Sequence, residues 1–165
     1  MLKEMKYEWE NILKDRLPKI NVNYYAKRLH NDEHGISCLC DILFTSKDER
    51  VSYNAAWILS HLPKLDKEIY LMPYYDKIAN LAMLSELKIR RGLILSILVD
   101  MPIGDNLRTD LLDFCLNGML DRKECDSTRS VMIKFAPKMC KPYTELKNEL
   151  KSSLQFLAED MKPSI

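Results

Sequence analysis

One group of residues has the chemistry of a binding surface: Tyr53, Trp57 and His61, each four residues after the last. On an α-helix, residues at this spacing lie one turn apart, so the three rings would share a face. An exposed aromatic pair is a strong anchor for a partner, because it buries a large apolar area when the partner binds. The alternative is that both large rings pack against a neighbouring helix, since Trp and Tyr side chains are usually largely buried.

Four residues with zinc-binding side chains also lie close together in the sequence: His30, His34, Cys38 and Cys40. The first three would share a stripe only if one continuous helix carried them. The polar pair at 31–32 and the glycine at 35 predict a break in that helix instead. Cys40 also continues an apolar stripe, which favours a buried structural thiol over a metal ligand. We therefore predict no metal site.

Established catalytic signatures are missing from the sequence. It contains no glycine-rich phosphate loop, no HExxH and no CxxC. We predict no catalytic residues and no cofactor. The five cysteines are an odd number and fall mostly within helical patterns, so we expect reduced thiols and no disulfide framework.

Charge is nearly balanced overall, with 25 Lys plus Arg against 24 Asp plus Glu and a net charge of +1. The bulk charge therefore does not indicate a nucleic-acid-binding protein, and any argument from charge must be local. The segment 127–142 carries only basic charges: Arg129, Lys134, Lys138 and Lys141. The stretch 105–121, which holds the predicted outer helix before it, carries Asp105, Asp110, Asp113 and Asp121 against Arg108 alone. Such an asymmetry is typical of a solvated surface, or it indicates an anionic partner, either an acidic protein segment or nucleic-acid phosphates.

The elements that would position these residues are helices. A chain of 165 residues with 47% hydrophobic residues and only four glycines indicates one all-α domain. Ser46 and Glu49 predict a capping box at the start of the helix that carries the aromatic residues, and Pro63 predicts its end. The apolar stripe of that helix consists of Val51, Ala55, Leu59 and Leu62.

Helical periodicity continues along the chain in pairs of segments. It predicts a lead-in helix at 2–16, a short segment at 23–30, and an outer helix before Thr45. Further segments lie at 66–82, where Pro73 predicts a kink, and at 86–101, 106–121, 126–140 and 143–161. Asp66 would be the N-cap of the segment that it begins.

The pattern repeats with a period of roughly 40 residues, and two helices per period of this length are typical of α-solenoids. Val51, Ile89 and Thr128 occupy equivalent places in three successive inner helices. The prolines that end these helices recur at nearly the same interval: Pro63, Pro102 and Pro142.

The region 32–142 resembles HEAT repeats. Leu71-Met72-Pro73 in an outer helix carries this resemblance, together with Ile89-Arg90, which is similar to the Val-Arg pair of that family. In this alignment Ser52 and Arg129 stand where the second hairpin has Arg90.

This resemblance implies an all-α, right-handed superhelix of about three HEAT-like hairpins in a single domain, 1–165. Residues 1–31 would be N-terminal helices, 32–142 three hairpins, and 143–165 a C-terminal capping helix. Aligning the inner helices places Tyr53 with Arg91, Trp57 with Lys134, and His61 with Lys138. We predict that these six residues line a concave binding face.

Two functions follow from the resemblance. The first is a non-catalytic interaction module or scaffold that binds a protein partner, in particular an acidic segment. The alternative is nucleic-acid binding, expected to be weak, and including DNA repair of the kind done by HEAT-like alkylpurine DNA glycosylases, whose sites need concave aromatic residues, a basic track and a carboxylate. Asp100 is the carboxylate nearest to the predicted column.

The N-terminus lacks the apolar region of a signal peptide, and the apolar run 93–99 is far shorter than a membrane span. We therefore expect a cytoplasmic protein without a membrane partner.

Overall fold

The computed structural model describes residues 2–84, 86, 88–103 and 107–161, with backbone only for 88–90, 160 and 161. The described chain is helical and contains no strand. Its main helices are α1 (Leu2–Leu13), α2 (Lys19–Arg28), α3 (Glu33–Thr45), α4 (Glu49–Ser60), α5 (Lys64–Asp66), α6 (Tyr75–Ala82), α7 (Lys88–Val99), α8 (Thr109–Leu120), α9 (Asp126–Cys140) and α10 (Thr144–Met161). The predicted all-α fold class is confirmed.

The chain divides into two compact units, Met1–Met101 and Pro102–Ile165. In the first unit, α4 packs against α3 and α7 and also contacts α1 and α2, while α6 packs on α7. In the second unit, α8 and α9 form a pair, and α10 packs on both. The helices thus pack in pairs, as in a helical repeat. A single domain over 1–165 stays a prediction.

The start of α4 differs in detail from the prediction. Asp48, and not Ser46, is its N-cap: one Asp48 carboxylate oxygen accepts hydrogen bonds from the backbone N–H of Arg50 and Val51, at 2.9 and 3.3 Å. Ser46 instead ends α3, where its N–H donates to the Ile42 carbonyl. The capping box was wrong because two cap-forming residues stand two positions apart, and the helix begins after the second.

The predicted core stripe of α4 is confirmed. Val51, Ala55, Leu59 and Leu62 are all buried, and Ala55 and Leu59 are fully so. The small side chains of Ala55 and Ala56 leave room for the close approach of neighbouring helices. The helix itself ends at Ser60, before the proline that was expected to stop it.

Between α4 and α6 the chain does not form one regular helix. After α5 it makes a π-helical turn, Lys67–Leu71, and a 3-10 turn, Met72–Tyr74, around Pro73. The kink predicted at Pro73 is confirmed, because proline has no N–H for the helical ladder and its ring displaces the preceding turn.

Asp66 provides no side-chain cap, so its predicted role was wrong. Its fully buried carboxylate accepts a hydrogen bond from His30 Nδ1 at 2.8 Å and from the Asn31 N–H at 3.3 Å. The carboxylate therefore joins this turn to the end of α2 instead of starting a helix.

The loop before α3 separates the four residues that resemble zinc ligands. Asp32 caps α3, accepting from the Gly35 N–H at 3.0 Å, so the predicted helix break is confirmed. His30 lies before this cap and pairs with Asp66, whereas Cys40 is fully buried. Over the described residues, no three His, Cys, Asp or Glu side chains come together as metal ligands would.

All five cysteines are free thiols. Burial raises the pKa of the Cys40 and Cys115 thiols to about 12, so both are almost wholly protonated at neutral pH and unreactive as nucleophiles. None of the described helices is long and apolar enough to cross a membrane.

The buried position of Leu59 allows a test of which face of α4 packs in the core. Leu59→Ala should lower the free energy of unfolding by about 2–5 kcal/mol, because it leaves a cavity between packed helices. Urea denaturation followed by circular dichroism measures this change. Leu65→Ala is the matched control, since Leu65 is 59% exposed and its replacement should leave stability nearly unchanged. Equal effects of the two substitutions would contradict the assigned core face.

Candidate interaction surface

The structure places Tyr53, Trp57 and His61 on one face of α4 and its end, as predicted. The ring centroids of Tyr53 and Trp57 are 6.0 Å apart with an interplanar angle of 62°, and those of Trp57 and His61 are 6.4 Å apart at 74°. These are edge-to-face arrangements, which aromatic pairs favour. Tyr53 and Trp57 are partly exposed, and His61 is exposed. We call these three residues the aromatic row. The rings of Tyr53 and Trp57 are neither fully buried in the core nor fully exposed to solvent.

His61 is held in place by the end of its own helix. Its Nδ1 lies 3.0 Å from the Trp57 carbonyl oxygen, which also accepts from Ser60 Oγ at 2.7 Å. The His61 Nδ1–H donates to this carbonyl in the tautomer that satisfies the bond, which leaves Nε2 as an acceptor. The imidazole is thus oriented by a carbonyl of the last helical turn.

A cleft of about 670 Å³ opens beside the aromatic row. We call it the aromatic cleft and define it by its lining residues: Arg16, Leu17, Pro18, Lys19, Arg50, Tyr53, Asn54 and Trp57. The first four belong to the connection between α1 and α2 and the start of α2, and the others to α4.

Sequence reasoning missed Arg16 and Lys19, because only the fold brings the α1–α2 connection against α4. It also missed Arg50, although this residue stands three positions before Tyr53 on the same helix. The signal available in the sequence was the pair of cations that flanks Leu17-Pro18.

The aromatic cleft is positively charged. Arg16, Lys19 and Arg50 contribute three cations, and none of its described lining residues is a carboxylate. Within the described part of the chain, these three side chains form no ion pair or hydrogen bond with another side chain. They are therefore available to an anionic group that enters the cleft.

Asn54 joins the two walls of the aromatic cleft. Its side-chain amide is buried, and Nδ2 donates to the carbonyl oxygens of Leu13 and Asp15, at 2.9 and 3.0 Å. These carbonyls lie at the C-terminal end of α1, where the helix itself supplies no donors. Asn54 thus fixes the backbone immediately before Arg16 against the helix that carries the aromatic row.

Arg91 does not belong to a binding face, and its assignment to the basic column was wrong. It is 3% exposed, with Nε donating to the Ala82 carbonyl at 2.8 Å and Nη2 donating to the Leu84 carbonyl. The side chain closes the C-terminal end of α6. Its charge is held inside the hairpin because the last carbonyls of a helix need donors, and a guanidinium offers several.

In the next hairpin, Arg129 closes the C-terminal end of the preceding helix in the same way. It is 9% exposed, and its Nε donates to the Met119 carbonyl at 3.0 Å, near the end of α8. In the first hairpin the buried Ser52 hydroxyl donates to the Ser46 carbonyl at 3.4 Å, where α3 ends.

Each inner helix therefore carries a side chain that closes the outer helix before it: Ser52 in α4, Arg91 in α7 and Arg129 in α9. The alignment of the three inner helices from the sequence paired Ser52 with Arg90. The structure pairs Ser52 with Arg91, so that alignment is wrong by one residue in the second hairpin. The side chains of Ile89 and Arg90 lie outside the described part of the chain.

Lys134 and Lys138 lie on α9 in the second unit, where both are exposed. They are four residues apart on one face of that helix, as the sequence predicts. The aromatic row belongs to the first unit. The aromatic row and the α9 lysines are accordingly two surfaces, each described on its own unit.

Asp100, the carboxylate nearest to the predicted column, is paired with a buried lysine. Asp100 Oδ2 accepts a hydrogen bond from Lys67 Nζ at 2.9 Å, and the same ammonium donates to the Ser60 carbonyl at 2.7 Å. Lys67 is 1% exposed, so removal of Asp100 from this pair would leave a buried ammonium without its counter-charge. Asp100 thus stabilises the packing of the first unit.

Paired helices that recur along the chain, with helix ends closed by side chains of the following helix, define an α-helical repeat protein. A family model described as a HEAT repeat domain matches residues 9–165. The chain belongs to this family, which confirms the resemblance noted from Leu71-Met72-Pro73. Searches of curated proteins and of solved structures give no match.

The contribution of the two Asn54 hydrogen bonds to stability can be tested by removing the side-chain amide that donates them. Asn54→Leu should lower the free energy of unfolding by about 1–3 kcal/mol, because two helix-end carbonyls lose their buried partner. Hydrogen exchange should also accelerate in the amides of the segment 13–17. The exposed Asn23→Leu is the control and should change neither quantity. Unchanged exchange in Asn54→Leu would mean that the α1–α2 connection is held by other contacts.

Because Arg91 is buried and Lys134 is exposed, their replacement should affect the free energy of unfolding differently. Arg91→Met should cost about 1–3 kcal/mol of stability, because the carbonyls of Ala82 and Leu84 lose a charged donor. Lys134→Met should leave stability nearly unchanged, since its side chain is exposed. Urea unfolding of both variants measures the difference. An unchanged free energy of unfolding in Arg91→Met would contradict this buried role and favour the predicted position of Arg91 on the binding face.

Proposed function

We propose that this HEAT repeat protein is a non-catalytic interaction module that binds a protein partner through the aromatic row, Tyr53, Trp57 and His61. The observation that carries the proposal is the partial exposure of two edge-to-face aromatic rings on α4. Aromatic side chains in this state bury a large apolar area on binding and lose little rotamer entropy.

The charge around the row supports an acidic partner segment. Arg16, Lys19 and Arg50 line the cleft beside Tyr53 and Trp57, and its described wall contains no carboxylate. Electrostatic complementarity of this kind accelerates association and selects against basic partners. On the second unit, the exposed Lys134 and Lys138 of α9 offer another basic surface to an acidic segment.

Replacement of Trp57 tests this function. Trp57→Ala should reduce the binding of the partner by about tenfold or more, as expected for a central aromatic anchor. The partner is first recovered by affinity capture from the native cell and identified by mass spectrometry, and it is then titrated directly against each variant. Equal thermal melting of the variants ensures that folding is not the cause.

The matched control is Tyr24→Ala, which removes an aromatic ring that is 60% exposed on α2 and lies outside the aromatic cleft. It should bind like the wild type. A partner that is lost with Tyr24→Ala and retained with Trp57→Ala would place the interface on α2 and exclude the proposed one.

A further inference from the structure

We infer that the aromatic cleft recognises a phosphorylated side chain of a peptide segment, an inference that rests on the proposed function and names the chemistry of its partner. Arg16, Lys19 and Arg50, three cations without side-chain partners in the described chain, line one cleft. The partly exposed Tyr53 and Trp57 line the same cleft, and carboxylates are absent from the described lining.

The number and type of the cations favour phosphate over carboxylate. A carboxylate offers one negative charge and two oxygens, whereas a phosphorylated side chain carries a charge of about −1.5 to −2 and three strong acceptor oxygens at neutral pH. Two guanidiniums can each bind two phosphate oxygens with their parallel N–H groups, and an ammonium adds a point charge. Arg16, Arg50 and Lys19 supply this set.

The size of the cleft favours a peptide side chain and its neighbours. Its volume of about 670 Å³ lies within the range of roughly 300–1,000 Å³ of pockets that hold small ligands. Tyr53 and Trp57, together with Leu17 and Pro18, form the apolar part of the lining, where a residue flanking the phosphorylated one would pack. A phosphate alone would leave this aromatic part unused.

The surrounding charges disfavour an extended polyanion. The exposed Asp15 precedes Arg16, and the exposed Asp48 and Glu49 precede Arg50 in the sequence. A nucleic-acid strand needs a positive groove that follows several successive phosphates. With acidic residues directly before both arginines, the sequence supplies no continuous basic run there, whereas the three cations of the cleft suffice for a single phosphate group. The arrangement therefore fits one compact dianion.

The geometry of the cleft depends on Asn54. Its two hydrogen bonds to the Leu13 and Asp15 carbonyls fix the backbone from which Arg16 projects. Arg50 and the aromatic rings are carried by α4 itself. The cations are thus attached to two packed elements, which reduces the entropy lost on binding.

The experiment uses the full chain and immobilised degenerate peptide libraries. Each library has a fixed central phosphoserine, phosphothreonine or phosphotyrosine, with matched libraries that carry the unphosphorylated residue or Glu at that place. Orthophosphate alone and a short oligothymidylate are titrated in parallel. We expect at least one phosphorylated library to bind about tenfold or more tightly than both of its matched libraries.

Substitutions in the cleft should remove this preference. Arg16→Gln and Arg50→Gln should each abolish most of it, and Trp57→Ala should weaken binding of the phosphorylated library. Lys27→Gln and Arg28→Gln are the charge-matched controls, because both cations are exposed on α2 outside the cleft. They should retain the preference. Loss of the preference in these controls as well would show that net charge alone is responsible and would overturn the inference.

The remaining outcomes separate this inference from the proposed function. Equal binding of the Glu and phosphorylated libraries, abolished by Trp57→Ala, would refute phosphate recognition and leave an acidic-segment module intact. Oligothymidylate binding tighter than that of every phosphorylated library would make the site a nucleic-acid surface. Orthophosphate binding as tightly as the best library would make it an anion site without peptide recognition. Failure of every library would refute phosphate recognition, while titration of the captured partner against Trp57→Ala still decides the proposed function.

Discussion

Every helix ends with backbone carbonyls that the helix cannot satisfy, and much of this structure depends on how those carbonyls find donors. Side chains of other helices or turns supply them. The donors include Asn54 for the end of α1, Ser52 for α3, Lys67 for α4, Arg91 for α6 and Arg129 for α8. Each bond joins two elements, so the same contact that satisfies a helix end also fixes the packing of its neighbour.

This constraint decides which charges are available for binding. Arg91 and Arg129 are basic in sequence, yet both are buried and donate to helix ends. Lys67 is buried between the Ser60 carbonyl and Asp100. The cations of the aromatic cleft, by contrast, have no side-chain partner in the described part of the chain. A count of Lys and Arg along a repeat therefore overstates its binding surface wherever a guanidinium closes a helix.

The aromatic cleft combines an apolar wall with charge. Tyr53 and Trp57 supply the wall, and Arg16, Lys19 and Arg50 supply the charge within the same cavity. An apolar wall lowers the local dielectric constant and strengthens the attraction of each cation for an anion that is bound there. The helical scaffold needs no reactive group to use this combination, which agrees with the interaction role that we propose for it.

Local periodicity and the tertiary structure determined different parts of this protein. Helical spacing identified the core stripe of α4 and the kink at Pro73, because each depends on residues within a few turns of one another. The recurrence of the pattern at roughly 40 residues identified the pairing of helices. The spacing of Tyr53, Trp57 and His61 likewise placed the aromatic row on one helix face.

The tertiary structure alone decided which charges meet that row. Asn54 lies far along the chain from the α1–α2 connection that it fixes, so no local pattern predicts that Arg16 and Lys19 stand beside Trp57. Nor does periodicity reveal that Arg91 points towards the end of α6, since a shift of one residue moves a side chain by about 100° around a helix. Sequence by itself determined the helices and their apolar faces, because those depend on short-range spacing, whereas the composition of the cleft was decided by packing between distant segments.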